Sequence, residues 1–157
     1  MTVTVTLTQS AIDSLDLSPV ATLVEEWLST GAIAQHQQDL QFEIDYPRDP
    51  ADPRELSEIP EIRLWFLRLD ARYPWLPYLL DWRIEFPRYT AMLVPHQFSP
   101  VEGIQYNPEA LEIFVTRKLF VLVDWVKAQG ISGLSKLKLM PQTVGIEFDD
   151  SFFELVA

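Results

Sequence analysis

The segment PEIRLWFLRLDARY, residues 60–73, carries more structural information than any other part of the sequence. It opens on Pro60, which suits the first position of a helix, and apolar residues then recur every three or four positions. These residues form two opposite faces: Ile62, Phe66 and Leu69 on one, and Leu64, Leu67 and Ala71 on the other. A helix with two apolar faces is either covered on both sides or offers one face to a partner.

An aromatic and basic stripe runs along one edge of this predicted helix, where Trp65, Arg68 and Arg72 follow at i, i+3 and i+7. The two arginines repel each other by about 0.2–0.5 kcal/mol unless something neutralises them. Trp and Arg are also the residue types that dominate binding hot spots. Two interpretations stay open: the stripe docks a partner, or Trp65 packs in the core while the arginines pair with acids of the loop before the helix.

Alternating residues on the N-terminal side of this helix predict two strands. In the first, Val3, Val5 and Leu7 alternate with threonines, and in the second, Leu40, Phe42 and Ile44 alternate with polar residues. Between them, Ser18 as N-cap and Pro19 at the first position predict a helix that ends at Gly31.

On the C-terminal side, Asn107 followed by Pro108 predicts a second long helix, which runs to about Gln129 with Gly130 as its stop. The weaker predictions are a helical turn at Leu79–Trp82, a strand at Arg88–Val94, and short helices near Leu134–Met140 and after Asp149–Asp150. The predicted fold class is therefore α+β, with a single domain over residues 1–157 in which a small β-sheet packs with several helices.

The second long helix repeats the ambiguity of the first. Ile113, Phe120 and Val123 project through an arc that is otherwise polar. Either the helix is central and covered on both sides, or these residues form an exposed patch for another protein.

The charge balance excludes some classes of partner. Among 157 residues, 23 are Asp or Glu and 12 are Lys or Arg, for a formal charge of −11. Such a protein is a poor ligand for nucleic acid, whose binding depends on neutralised phosphates, and for an anionic membrane surface. Residues 1–60 hold eleven acids and two bases, whereas residues 61–100 hold four acids and five bases.

Cysteine usage and the N-terminal sequence bear on compartment. The chain has no cysteine, so disulfides and iron–sulfur ligation by its own thiolates are excluded. Its first basic residue is Arg48, which is unlike a secretory signal or a transit peptide. The longest uncharged stretch, Tyr89–Val101, is too short and too rich in proline to span a membrane. We therefore expect a cytoplasmic protein with no direct membrane insertion.

The loop at 46–60 is unusual because four prolines punctuate an acidic run. The acids in and beside it are Asp45, Asp49, Asp52, Glu55 and Glu58. Their spacing lacks the alternating acids and central glycine of a calcium-binding loop, so a metal site is not expected. A loop that steers a basic partner is the preferred interpretation, with a short helical turn around Asp52–Ser57.

No motif predicts catalysis. The chain has two histidines, and it lacks the metalloprotease, nucleophile-elbow, phosphate-loop and dinucleotide-binding motifs. Two alternatives to a binding protein stay open. One is a small enzyme that uses carboxylates, with His96 as a base, and it would need a carboxyl of raised pKa beside that histidine. The other is a small-molecule pocket built from Trp65, Trp75 and Trp82.

Several segments resemble the chlororespiratory reduction 6 family across roughly residues 40–130. They are Tyr46–Arg48, Asp52–Leu56, Pro60–Phe66, Leu69–Pro77, Met92–Phe98 and Glu102–Leu111. The resemblance implies a non-enzymatic assembly factor, without a cofactor, for the type-1 NAD(P)H dehydrogenase complex of photosynthetic membranes. It also implies a protein partner, the ferredoxin-like subunit with two iron–sulfur clusters in the hydrophilic connecting arm. The family occurs in cyanobacteria and chloroplasts, and the missing transit peptide favours the cyanobacterial form.

The family pattern supplies no catalytic, cofactor-binding or metal-binding residues to transfer. The candidate partner-binding surface combines the stripe, the acidic loop and their neighbours. It consists of Tyr46, Arg48, Arg54, Trp65, Arg68, Arg72, Trp75 and His96.

Overall fold

The structure is a computed structural model that describes residues 1–156, with the side chain of Val156 left aside. Strands are β1 (Val3–Thr8), β2 (Leu40–Asp45), β3 (His96–Ser99) and β4 (Gly103–Tyr106). The α-helices are α1 (Gln9–Asp13), α2 (Ser18–Thr30), α3 (Pro60–Arg72), α4 (Glu85–Leu93), α5 (Pro108–Ala128), α6 (Leu139–Gln142) and α7 (Asp150–Val156). Short 3₁₀ helices occur at Ile33–His36, Leu56–Glu58, Leu76–Tyr78 and Leu134–Lys138. The predicted α+β class is confirmed.

The N-terminal part is a parallel strand pair joined by a helical crossover. β1 pairs with β2 in the register Val3↔Leu40 through Thr8↔Asp45, and α1 and α2 form the connection. The apolar members of the alternation, Val5, Leu7 and Phe42 among them, turn into the core. Both strand predictions are therefore confirmed, because period-two alternation places one face of the pair against the helices.

The outer edge of β2 is covered by a different part of the chain. The amide of Leu40 donates to Leu79 O at 2.8 Å, and Asp81 N donates back to Leu40 O at 2.9 Å. Farther along, Phe42 N donates to Glu85 Oε1 at 3.1 Å and Arg88 Nη1 donates to Phe42 O at 3.0 Å. Two side chains of α4 thus replace the hydrogen bonds that a third strand would make.

α3 packs against this edge through an aromatic cluster. The ring of Phe66 meets Phe42 at 5.6 Å between centroids and Trp65 at 5.1 Å, both edge to face. Tyr89 of α4 reaches the same ring at 6.1 Å. These contacts join α3, α4 and β2, and the buried residues beyond them form one continuous core.

Several sequence-based boundaries need correction. The predicted strand at Arg88–Val94 is wrong, because this segment belongs to α4, where Phe86, Tyr89 and Thr90 are buried at helical spacing. Pro87 is compatible with that helix since it lies in the first turn, where no intrahelical amide bond is lost. The hairpin of β3 and β4 was not predicted at all.

Smaller shifts affect caps and turns. Ser18 is not the N-cap of α2: Leu17 holds that position, and the Asp16 carboxylate accepts the Ser18 amide at 2.9 Å. The turn predicted at Leu79–Trp82 occurs earlier, at Leu76–Tyr78. The helical turn predicted around Asp52–Ser57 in the acidic loop is present, but it lies at Leu56–Glu58.

The predictions for the C-terminal half are confirmed. Asn107 caps α5 by accepting from Glu109 N at 3.0 Å and Ala110 N at 3.1 Å. Gly130 follows the helix with a φ of 69°, which a side chain would strain. The short C-terminal helices also occur close to where they were expected.

Glu85→Ala should lower the free energy of unfolding by about 1–3 kcal/mol, because it leaves the buried amide of Phe42 without an acceptor. Glu85→Gln should cost less, since the side-chain amide oxygen can still accept this bond. Urea unfolding near neutral pH measures both values. Equal losses for the two variants would show that this hydrogen bond does not stabilise the fold.

The pH dependence of the same variants has a defined sign. Burial raises the pKa of Glu85 above 4.5, while Arg88 and the Phe42 amide oppose that rise. The folded state therefore holds this proton more tightly than the unfolded state, and stability is lost as the pH rises through the unfolded and then the folded pKa. Urea titrations between about pH 4 and about pH 7 should show the wild type losing stability relative to Glu85→Gln. A difference that is constant with pH would contradict this.

Candidate partner-binding surface

α3 is covered on one side only. Its first apolar face is buried, but on the second face Leu64 is 50% exposed and Leu67 47% exposed, with Arg68 and Ala71 beside them. Within residues 1–156, no hydrogen bond or ion pair holds the guanidinium of Arg68. The interpretation of a helix covered on both sides is therefore wrong, and a mixed apolar and basic face meets solvent.

Trp65 is not part of that face. It is fully buried, and its Nε1 donates to Asp16 O at 2.8 Å. Its position on the helix borders the buried face, and the turn between α1 and α2 closes over the indole. An indole with no exposed surface cannot contact a partner in this fold, so Trp65 is removed from the candidate surface.

Arg72 has a weak partner on α2. Its Nη2 lies 4.0 Å from Glu25 Oε1, and its guanidinium lies 5.2 Å from the centre of the Tyr73 ring. The same carboxylate oxygen accepts a bond from Tyr73 Oη at 2.8 Å. Burial and then that hydrogen bond raise the pKa of Tyr73 to about 12. Because both charged side chains are more than half exposed, the ion pair contributes little to stability.

The expected pairing of the two arginines with acids of the 46–60 loop does not occur. Asp52 is instead paired with Arg54, whose Nη2 lies 2.8 Å from Oδ2. Hydrogen bonds from Arg54 lower the pKa of Asp52 to about 2. Arg68 thus keeps its positive charge directed toward solvent, and Arg72 has only its weak contacts to Glu25 and Tyr73.

The loop residues of the candidate set lie beside the first turn of α3. Tyr46 Oη donates to Asp13 Oδ1 at 3.2 Å, and Arg48 donates to the carbonyl oxygen of Arg54. The charge of Glu61, in the first turn of α3, acts on both Tyr46 and Arg54. The loop is therefore held in place by its own polar contacts, next to the exposed face of the helix.

Trp75 lies beyond the other end of α3. Its indole stacks on Trp125 of α5, with the ring centroids 4.3 Å apart and the ring planes 8° from parallel. Tyr73 meets it edge-on at 5.7 Å. Trp75 is half-buried, so part of its ring stays accessible while the stack fixes its orientation.

His96 is held between two structural elements. Its Nδ1 lies 2.9 Å from Val94 O, and its Nε2 lies 2.8 Å from Ser57 Oγ. A carbonyl oxygen only accepts, so Nδ1 carries the proton, and in the neutral ring Ser57 donates to Nε2. Since Ser57 is fully buried, this contact fastens the 3₁₀ turn of the loop to β3. The carboxyl of raised pKa, Glu85, faces β2 instead of His96.

The three tryptophans of the pocket hypothesis have separate surroundings. Trp82 is buried and donates from Nε1 to Pro77 O at 2.9 Å. Trp65 is buried beneath the α1–α2 turn, and Trp75 stacks on Trp125. These indoles therefore do not surround one common cavity.

The structure adds a groove that the sequence did not reveal. It has a volume of about 430 Å³ and lies between α5 and the end of α4. Its lining residues are Asp70, Leu93, Pro95, Ile113, Arg117 and Lys118. Lys118 is 7% exposed and bonds to Asp70 and, at 2.9 Å, to Pro74 O, while Tyr89 Oη reaches Asp70 Oδ1 at 2.8 Å. The one sequence signal is that Lys118 interrupts the apolar face of α5.

The exposed fractions of its three projecting side chains settle the ambiguity of α5. Ile113 is 47% exposed and Phe120 is 46% exposed, although Phe120 also meets Phe152 of α7 at 5.6 Å. Val123 is buried. The helix is therefore covered at its C-terminal half and open near its middle.

Two classes of site find no support in the described residues. No group of three or more His, Asp or Glu side chains in residues 1–156 is arranged to hold a metal ion. In the same part of the chain, no helix combines the length and the apolar character that crossing a membrane requires.

The fold and the surface together define an α+β protein with an exposed apolar and basic face on one helix. No solved structure matches the chain. The model of one protein family, chlororespiratory reduction 6, matches residues 7–155. The chain belongs to this family, which is linked to assembly of the NAD(P)H dehydrogenase complex. The resemblance seen in the sequence is confirmed, over a longer span than the quoted segments.

Lys118→Ala should destabilise the protein by about 3 kcal/mol, because it leaves Asp70 and the Pro74 carbonyl without their buried cation. Arg117→Ala, one residue away but exposed, is the matched control and should change stability by less than about 0.5 kcal/mol. Thermal and urea unfolding measure both. Similar effects for the two variants would mean that the Lys118–Asp70 pair is not a structural element.

Proposed function

We propose that this protein is a non-enzymatic assembly factor of the photosynthetic type-1 NAD(P)H dehydrogenase complex. It acts in the cyanobacterial cytoplasm and binds the ferredoxin-like subunit with two iron–sulfur clusters in the hydrophilic connecting arm. Membership of the chlororespiratory reduction 6 family is the observation that carries this proposal. The subunit, the compartment and the absence of catalysis are the finer parts, which experiments must test.

The binding surface follows the exposed face of α3. Arg68 lies in the C-terminal half of α3 and Arg72 is its last residue. Tyr46, Arg48 and Arg54 precede its start, and Trp75 follows its end. A helix of 13 residues is about 20 Å long, which is the scale of an ordinary protein interface. His96 contributes indirectly, because its bond to Ser57 holds the loop that carries Tyr46, Arg48 and Arg54.

The chemistry of this face suits a protein partner. Leu64 and Leu67 supply apolar area, and Arg68 supplies a cation without an internal partner in the described chain. Arginine beside exposed leucine is a combination that favours hot-spot contacts to a surface with carboxylates and apolar side chains. The acidic loop next to it disfavours partners that are acidic throughout.

Affinity capture of the tagged protein from its native cells, followed by mass spectrometry, tests the partner. We expect the ferredoxin-like subunit in the eluate, with little of the finished membrane complex, because an assembly factor leaves once assembly is complete. A folded bait that recovers neither this subunit nor other subunits of the connecting arm would overturn the assignment.

The double variant Arg68→Ala/Arg72→Ala tests the surface. If both arginines are anchors, affinity for the purified subunit should fall by about 2 kcal/mol or more, roughly 30-fold. Arg83→Ala is the matched control, because Arg83 is an exposed arginine outside α3, and its affinity should be unchanged. Calorimetry with the purified subunit gives these values. Unchanged affinity in a folded double variant would remove α3 from the interface.

The alternative function is binding of a small molecule or catalysis by carboxylates, and the groove of about 430 Å³ favours the former. A ligand present at 100 times its Kd would stabilise the protein by about 2.7 kcal/mol, which a thermal-shift screen detects. Ile113→Arg would block the groove and abolish such a shift. A hit sensitive to this variant would support the alternative.

A further inference from the structure

The two outer edges of the N-terminal strand pair differ in their hydrogen bonding. The outer edge of β2 is hydrogen-bonded at two positions, by Leu79 and Asp81 at Leu40 and by Glu85 and Arg88 at Phe42. The outer edge of β1 has no comparable cover. An edge strand left in this state is a template for pairing with another chain.

The register identifies the atoms on the open edge. Val3 N donates to Asp39 O at 2.7 Å, so Val3, and by the alternation of a parallel ladder Val5 and Leu7, direct their backbone groups toward β2. The backbone N–H and C=O groups of Thr4 and Thr6 therefore point away from the sheet. No hydrogen bond from residues 1–156 reaches these groups, and both threonines are exposed.

The sequence of β1 contains none of the usual devices that protect an edge. The segment Thr2–Thr8 has no proline, no charged side chain and no glycine, and its pairing with β2 is continuous without a bulge. Threonine and valine are also among the strongest strand formers. The strand is thus extended, paired with β2 on one edge and able to accept a neighbour on the other.

We propose that the outer edge of β1 binds an extended segment of a partner protein, which adds to the sheet as a third strand. Backbone bonds to Thr4 and Thr6 provide the contact, as in other cases of strand addition. This site is separate from the face of α3. The open edge is inferred from strand geometry and the kind of partner from charge, so the proposal does not depend on the assembly role.

The surrounding charge selects the kind of segment. Glu43 and Asp45 of β2 lie opposite Thr6 and Thr8 in the register, and Asp13 ends α1. Residues 1–60 as a whole hold eleven acids and two bases. A strand flanked by Lys or Arg is attracted to this region, whereas an acidic strand is repelled. A second copy of this chain is disfavoured for the same reason, since each copy carries a formal charge of −11.

Amide hydrogen exchange of the full chain, followed by NMR, tests whether the edge is open. The amides of Thr4 and Thr6 should exchange fast, while Val5 and Leu7, on the same strand but bonded to β2, should exchange slowly. The alternating residues are matched controls for each other. Slow exchange at Thr4 and Thr6 in the free protein would overturn the proposal, and slowing that grows with protein concentration would assign the edge to a second copy.

A synthetic peptide, Lys-Thr-Val-Thr-Val-Thr-Lys, then tests the occupant. Methylating alternate backbone nitrogens leaves one edge able to pair and limits self-association of the peptide. With free peptide at ten times its Kd, exchange at Thr4 and Thr6 should slow about tenfold. A fully N-methylated peptide and a peptide with Glu in place of Lys should have little effect. No slowing at saturating basic peptide, or equal slowing by all three peptides, would overturn the proposal.

Variants of Thr6 provide a second readout. Thr6→Pro removes an outward amide without removing a bond to β2, so peptide affinity should fall about tenfold. Thr6→Val keeps the amide and the shape, and its affinity should be unchanged. If Thr6→Pro does not fold, the N-methylated peptides alone decide the outcome. Equal affinity of folded Thr6→Pro and Thr6→Val would overturn the proposal.

Discussion

The buried backbone of β2 has to find hydrogen-bond partners on both sides, and the rest of the fold is arranged around this need. One side is supplied by β1. The other is supplied by the chain at Leu79–Asp81 and by Glu85 and Arg88 of α4, which bond to Phe42. Since a buried amide without a partner costs about 1–3 kcal/mol, α4 is held close to β2. That position in turn determines where α3 can pack.

The placement of α3 connects this constraint to function. Its aromatic residues fill the space between β2 and α4, so Trp65 becomes a core residue with a hydrogen bond to Asp16 O. The opposite face then has no internal cover, and Leu64, Leu67 and Arg68 meet solvent. An exposed apolar patch marks a candidate interaction site, which is why this helix is central to the proposed interface.

The acidic loop is ordered by local contacts more than by burial. Asp52 binds Arg54, a capping box of Glu55 and Glu58 closes the 3₁₀ turn, and Ser57 bonds to His96. The first two contacts are local and the third reaches β3, and together they let a segment with four prolines hold a defined shape at the start of α3. The groove on the other side of the molecule depends on a longer-range element, the Lys118–Asp70 pair, which joins α5 to α3.

Features that depend on neighbours along the chain could be predicted from the residues alone. The alternation of β1 and β2, the start of α3 at Pro60 and the Asn107 cap of α5 were all predictable, because propensity, period and capping act within a few residues. Features that depend on distant contacts became visible only in the folded protein. The segment around Tyr89 became a helix because its buried residues face α3, and Trp65 was buried because a turn far away in sequence closes over it. The sequence limited the candidate surface to α3 and its neighbours but did not show which face of α3 is exposed. The pattern of this helix has two apolar faces, and packing decides which of them the core covers.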